Sequence, residues 1–160
     1  MDPKRAAIRR VLAGKPEEAL YTAVILDDPT ELLRLWEQET GIPLHPKKIA
    51  HHMTIKFKPS PEEVARLPIG KRVNLRVIGY AADDKGQAVA VVPQGVSSAN
   101  EIPHVTVAVN GTSPVYSNEL LKRGRGQKGK MSGTLKGRVG YQGTKGSEVF
   151  DLAGTIYEEL

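Results

Sequence analysis

The stretch His52-Met53-Thr54-Ile55, with its echo His104-Val105-Thr106-Val107, decides how this chain is read. Each is a histidine, any residue, a threonine and an aliphatic, set in a short apolar run that predicts a β-strand. Alternate side chains on a strand share a face. His52 and Thr54 therefore stand side by side, about 6.6–6.8 Å apart along the backbone, and His104 and Thr106 repeat the arrangement. Met53, Ile55 and Phe57 point the other way, as do Val105, Val107 and Val109. Each strand thus offers an imidazole and a hydroxyl on one face and anchors itself through the other.

Outward from the first motif, Leu20 to Leu26 predicts a strand and Asp27-Asp28-Pro29 a turn into a helix from about Thr30 to Glu39, striped by Leu32, Leu33 and Trp36. Gly41 stops it. The link from Ile42 to Ala50 holds Pro43 and Pro46 and predicts no regular structure. After the motif strand, His52 to Lys58, the run Ser60-Pro61-Glu62-Glu63 has the form of a capping box opening a short helix to Leu67. Lys71 to Ala82 alternates as a strand, Asp84-Lys85-Gly86 predicts a hairpin turn, and Gln87 to Val92 the return strand. His104 to Val109 is the second motif strand, and Ser117 to Leu121 begins a brief helix. At the N-terminus, Lys4 to Ala13 predicts a helix capped by Asp2, its Arg5, Arg9 and Arg10 on a solvated face.

The last forty residues differ in texture. Nine of the sixteen glycines lie between Gly124 and Gly154, and five of the nine residues from Lys122 to Lys130 are basic. They predict a basic, glycine-rich flexible loop over about 122–130, then two glycine-weakened strands near Met131 to Tyr141 and Glu148 to Tyr157. The element order suggests an α+β fold, largely antiparallel, in one domain of residues 1–160 with two related lobes.

Composition narrows the function classes. The net charge of +5 and pI of about 9.5 favour polyanionic partners, while an aromatic content of 5% argues against base stacking as the main binding device. With no cysteine, thiol chemistry and disulfides are excluded. No apolar run approaches the roughly 20 residues of a membrane span, and the expected location is cytoplasmic. Walker-type and dinucleotide-binding glycine motifs are absent.

Two histidines near their ordinary pKa can act as base and acid at one site, and cleaving a phosphodiester needs both. Charged imidazole and hydroxyl donors also stabilise the negative charge that builds on the phosphate. His51 falls on the opposite face from His52 and reads as structural or exposed. His45, between Pro43 and Pro46, reads as a surface residue. Neither motif histidine has a partner in a recognised metal-ligand spacing, so no metal and no cofactor is expected.

Paired histidine–x–threonine–aliphatic motifs on strands some fifty residues apart resemble those of the two-histidine phosphoesterase superfamily. Pro103-His104-Val105-Thr106-Val107-Ala108-Val109 and Pro114-Val115-Tyr116-Ser117-Asn118 look closest to its branch in fungal-type tRNA ligases, beside the 2′-5′ RNA ligase-like proteins. The resemblance covers roughly Leu20 to Leu121. It implies a bilobal fold, two mainly antiparallel sheets facing a central cleft with helices outside. His52 and His104 would be the catalytic pair, and Thr54 and Thr106 would bind the scissile phosphate. The implied reaction is metal-independent opening of a 2′,3′-cyclic phosphate to a phosphomonoester.

Many 2′-5′ RNA ligase-like members carry a basic residue just beyond the second motif, where this chain has Val109 and Asn110. Strand parity offers Lys56 as the cation instead, and Tyr116, Ser117 and Asn118 follow the second motif strand as rim residues. The expected substrate is RNA with a 2′,3′-cyclic phosphate end, handled by a monomer beside an RNA ligase or kinase partner. A phosphodiesterase of small cyclic nucleotides or cyclic oligonucleotide messengers, and a non-catalytic module holding RNA ends, are the other readings.

Overall fold

The computed structural model describes residues 18–123 and 126–150; the helix expected at Lys4 to Ala13 lies outside them. The strands are β1 (Ala19–Leu26), β2 (Lys47–Lys48), β3 (His52–Phe57), β4 (Arg72–Ala82), β5 (Gly86–Pro93), β6 (His104–Val109), β7 (Gln127–Gly143) and β8 (Glu148–Val149). The helices are α1 (Pro29–Thr40), α2 (Pro61–Arg66) and α3 (Tyr116–Arg123). Six strands run in the order β1-β3-β6-β5-β4-β7, and β7 returns to pair with β1. All these pairings are antiparallel, so the sheet closes into a barrel.

That closure corrects the expectation of two sheets facing a central cleft. The α+β class stands in coarse form, mostly strands with few helices, but the two motif strands are neighbours in one barrel. The physical reason is the length of β7. Its first part pairs with β4 from Ala82↔Gln127 to Arg72↔Arg138, and its last part pairs with β1 from Leu26↔Gly137 to Ala19↔Gly143. One 17-residue strand therefore bridges both edges.

The core follows from the alternation. In β4, Val73, Leu75 and Val77 are buried while Arg72, Asn74 and Arg76 are exposed. Met53 and Ile55 from β3 and Val105 and Val107 from β6 join them inside. Helix α1 packs on the barrel through Leu32 and Trp36, which are fully buried in that same core. Asp28 caps α1 by accepting from the Thr30 N–H at 3.0 Å, with Pro29 at the first helical position. Both halves of the α2 capping box form, with Ser60 and Glu63 each accepting the other's N–H. Helix α3 packs Leu120 and Leu121 on the outer face against Ala81 and Ala88.

Residues 127–130 correct a second expectation. They belong to β7 and not to a flexible loop, because β4 is long enough to supply a backbone partner for each of them. The β7 glycines serve close approach: a Cβ on Gly129 would stand 2.6 Å from the Tyr80 ring, and one on Gly137 would stand 2.5 Å from the Ile25 carbonyl. Of the last expected strand, Glu148 and Val149 form β8, and residues 151–157 lie outside the described part.

Candidate functional site

The two motifs meet because β3 and β6 pair at Met53↔Val105. Antiparallel geometry then sets His52 opposite Thr106 and Thr54 opposite His104. The register thus sets each motif histidine beside the threonine of the other motif, with Met53 and Val105 buried beneath in the core. Beyond this single pair the strands part. Ser98 donates to the Thr54 carbonyl at 2.7 Å and the Ala99 N–H to the Ile55 carbonyl at 2.7 Å. The 98–99 segment thus occupies backbone groups that β6 would otherwise take.

The second motif is the more enclosed. His104 and Thr106 are buried, and His104 Nδ1 lies 2.7 Å from the Ile102 carbonyl. A carbonyl only accepts, so Nδ1 carries the proton and Nε2 is the working nitrogen. Burial lowers the His104 pKa, and the bond to Ile102 works against that shift. Thr106 Oγ1 is 2.7 Å from Ser117 Oγ and 3.3 Å from the Pro114 carbonyl. Ser117, fully buried on α3, can donate to Thr106 while the threonine O–H turns toward a bound anion.

His52 is held differently. The Tyr21 ring from β1 stacks on it, centroids 4.4 Å apart at 20°. Its Nδ1 is 2.8 Å from His51 Nδ1, and His51 Nε2 is 2.6 Å from Glu148 Oε2 on β8. The His51 expectation is therefore corrected, since this side chain joins His52. Strand parity fails there because Ala50, fully buried, has φ +42. Between Lys48↔Ala108 and Met53↔Val105 the β2–β3 side carries two residues more than β6. That bulge swings His51 round to its neighbour.

Burial, with the charges of His51 and His104, pushes the His52 pKa down to about 3. The folded chain then refuses a proton that the unfolded chain takes up near pH 6.5, so unfolding binds protons between these values. The stability tied to neutral His52 is whole above pH 6.5 and drains away as pH falls toward 3. The thermal midpoint is expected to drop between pH 7 and 4, and to drop less in His52→Gln. An equal drop in both proteins would remove His52 as the cause.

Three other predicted site residues are held by partners away from the two motif histidines. Lys56 leaves the His52–Thr54 face because Ile55 has no opposite residue between Thr22↔Lys56 and Ala23↔Thr54, and this bulge breaks the parity that linked Lys56 to Thr54. Its Nζ lies 2.6 Å from Glu63 Oε2 on α2. The Tyr116 hydroxyl donates to Asp83, and Asn118 Nδ2 to the Val115 carbonyl at 3.3 Å. His45 is half-buried rather than at the surface, its Nε2 2.8 Å from the Asp83 carbonyl and its N–H on the buried Gln87 side chain. Among the described residues, no three histidine, cysteine or acidic side chains cluster as metal ligands. Nor is any helix among them long and apolar enough to cross a membrane.

Sequence reasoning missed His51, Glu148 and Tyr21. Only His51 had a local signal, its adjacency to His52.

Paired imidazoles and hydroxyls on adjoining strands can exchange protons with a phosphodiester and hold its oxygens, a phosphoesterase arrangement. Comparison with known families agrees with that class: the model of the fungal tRNA ligase phosphodiesterase domain matches residues 47–149, more than half the chain. The chain belongs to this family. The matched span runs from β2 to β8 and contains both motifs, His51 and Glu148. No curated protein matches the sequence.

Proposed function

We propose that this chain opens 2′,3′-cyclic phosphate ends of RNA to a phosphomonoester without a metal, with His52 as base and His104 as acid. The observation that carries the reading is the crossed register at Met53↔Val105, which sets His52 opposite Thr106 and Thr54 opposite His104 on adjoining strands. The unequal surroundings of the histidines support the division of labour. The His52 pKa is pushed down to about 3 and the ring held neutral; burial lowers His104 as well, but the bond to the Ile102 carbonyl works against that shift and helps His104 keep its proton. In the proposed step, His52 takes a proton from water as the water oxygen bonds to phosphorus. The phosphorus bond to one ribose oxygen breaks, and His104 Nε2 gives its proton to that oxygen. Thr54 and Thr106 hold the non-bridging oxygens.

RNA is favoured over a small cyclic nucleotide by what lies beside His104. The register runs His104↔Ala90, Ala90↔Gly79 and Gly79↔Lys130 across the outer face. Three strand spacings span about 14 Å. The floor is small side chains, α3 stands over the adjoining row Thr106, Ala88 and Ala81, and Lys130 closes the far end. Lys130 makes no ion pair among the described residues, whereas Lys122 is 3.2 Å from Glu101 and Lys128 Nζ donates to the Leu121 carbonyl. Such a row suits a single-stranded backbone leading away from the cleaved end.

The test compares an oligoribonucleotide ending in a 2′,3′-cyclic phosphate with a 2′,3′-cyclic mononucleotide. Efficiency on the oligonucleotide should fall steeply with salt, and Lys130→Ala should flatten that log–log slope by about 0.7. The mononucleotide should be indifferent to both. Equal salt dependence for the two substrates would favour the small-nucleotide reading, and binding without turnover would favour the non-catalytic one.

A further inference from the structure

We propose that Glu148 and His51 form a proton relay behind His52, moving the positive charge of catalysis off the enclosed imidazole onto the more open His51–Glu148 pair. The inference rests on the reading of His52 as base. Its geometry is two contacts in line, Glu148 Oε2 to His51 Nε2 at 2.6 Å and His51 Nδ1 to His52 Nδ1 at 2.8 Å.

Two ring nitrogens cannot meet at 2.8 Å with both lone pairs facing, so one carries a proton. The Glu148 carboxylate accepts from His51 Nε2–H. With His51 neutral, its Nδ1 is then an acceptor, His52 Nδ1 carries the proton, and His52 Nε2 has the lone pair a base needs. With His51 charged, its Nδ1–H donates, His52 Nδ1 accepts, and His52 Nε2 carries a proton. The protonation of His51 therefore sets what His52 presents to substrate.

The two states are the ends of one catalytic step. As the water oxygen bonds to phosphorus, the water proton goes to His52 Nε2, and the proton on His52 Nδ1 passes to His51 Nδ1. His52 ends neutral, His51 ends as an imidazolium donating to the Glu148 carboxylate, and His104 delivers its proton to the departing ribose oxygen. Deprotonation of His52 Nε2 to solvent, with the His51 proton returning, and uptake of a proton from solvent by His104 Nε2 reset the site.

The surroundings make the transfer favourable. Tyr21 from β1 covers one face of His52, His104 on β6 adds like charge when protonated, and His51 is its own neighbour in the chain. Arg138 on β7 is separated from His52 by Ile25, and its guanidinium lies over the Phe150 ring 4.2 Å from the centroid. None of these offers His52 an anion. Glu148 offers one to His51, and both side chains of that pair keep about a third or more of their exposure (31% and 42%). His51 and Glu148 are thus positioning residues, acting through His52.

Nitrogen-15 NMR of the histidine rings across pH tests this on the intact chain. With His51 neutral, His52 should be the Nδ1–H tautomer; with His51 an imidazolium, His52 should become the Nε2–H tautomer. Glu148→Gln should reduce kcat about ten- to a hundredfold, the worth of one hydrogen bond to a charged group, with KM unchanged. His51→Asn should uncouple the His52 tautomer from pH in this range. A His52 that keeps one tautomer throughout, or a Glu148→Gln protein with full kcat, overturns the relay. The NMR readout needs no substrate. Failure to turn over any cyclic phosphate with the tautomer exchange intact would sink the functional reading and leave the relay standing.

Discussion

Replacing either His52 or His104 by alanine is expected to lower kcat/KM on a 2′,3′-cyclic phosphate end by about 10²–10⁴-fold, the usual contribution of a positioned acid or base. The reaction is to be run with EDTA present, and turnover that EDTA abolishes would remove the metal-free mechanism. The two losses should not add. A missing base and a missing acid disable the same displacement, so the double variant should fall little below the worse single one. The variants should part in their response to pH. His104→Ala removes the group that must be charged and should lose the decline of rate on the alkaline side. His52→Ala removes the group that must be neutral and should lose the decline on the acid side. A leaving group that needs no protonation, such as a nitrophenolate, should restore much of the His104→Ala rate and none of the His52→Ala rate. The opposite pattern would exchange the two roles. Either variant retaining near full activity would remove the pair from the chemistry.

What could be read from the sequence was local. The capping box at Ser60 and Glu63, the Asp28 cap with Pro29, the hairpin at Asp84 to Gly86 and the two-residue period of both motifs depend on neighbours a few positions away, and all stand in the structure. The closure of the barrel depends on β1 and β7 meeting more than a hundred residues apart, and no short-range pattern encodes that. The glycines of β7 misled because one residue type serves both mobility and close approach, and only the Tyr80 ring and the Ile25 carbonyl distinguish them. Parity carried His52, Thr54, His104 and Thr106 to one face because no bulge falls between the histidine and the threonine of either motif. It fails on either side of the His52–Thr54 pair, at Ala50-His51 and again at Ile55, which is why parity alone sets His51 too far from the site and Lys56 too near. The cluster of Tyr21, His51, His52 and Glu148 draws on three strands, and its members span most of the described chain.

The same dependence of the site on distant packing gives Trp36→Ala its expected size, a loss of about 3–5 kcal/mol of stability. Trp36 is fully buried, meets Tyr80 edge-on at 5.5 Å, and donates its indole N–H to the Ile42 carbonyl at 3.0 Å. Removing it leaves a cavity where α1 joins the barrel core and leaves that carbonyl unpaired. As the chain has one tryptophan, unfolding must be followed by circular dichroism, and the urea midpoint should fall with the slope unchanged. Trp36→Phe separates the two contributions: most of the ring volume stays while the indole hydrogen bond goes, so its loss should be the smaller. The consequence for the site follows the chain. Ile42 begins the segment through Pro43 and Leu44 to Lys47, Lys48 and Ala50, whose backbone pairs with β6 and whose bulge delivers His51 to His52. If this segment is set by Trp36, kcat per folded molecule should fall in Trp36→Ala while the Thr106–Ser117 side of the site stays as it is. Full kcat per folded molecule would mean that the pairing of 47–50 with β6 alone fixes the bulge, and that α1 contributes to stability without positioning the histidines.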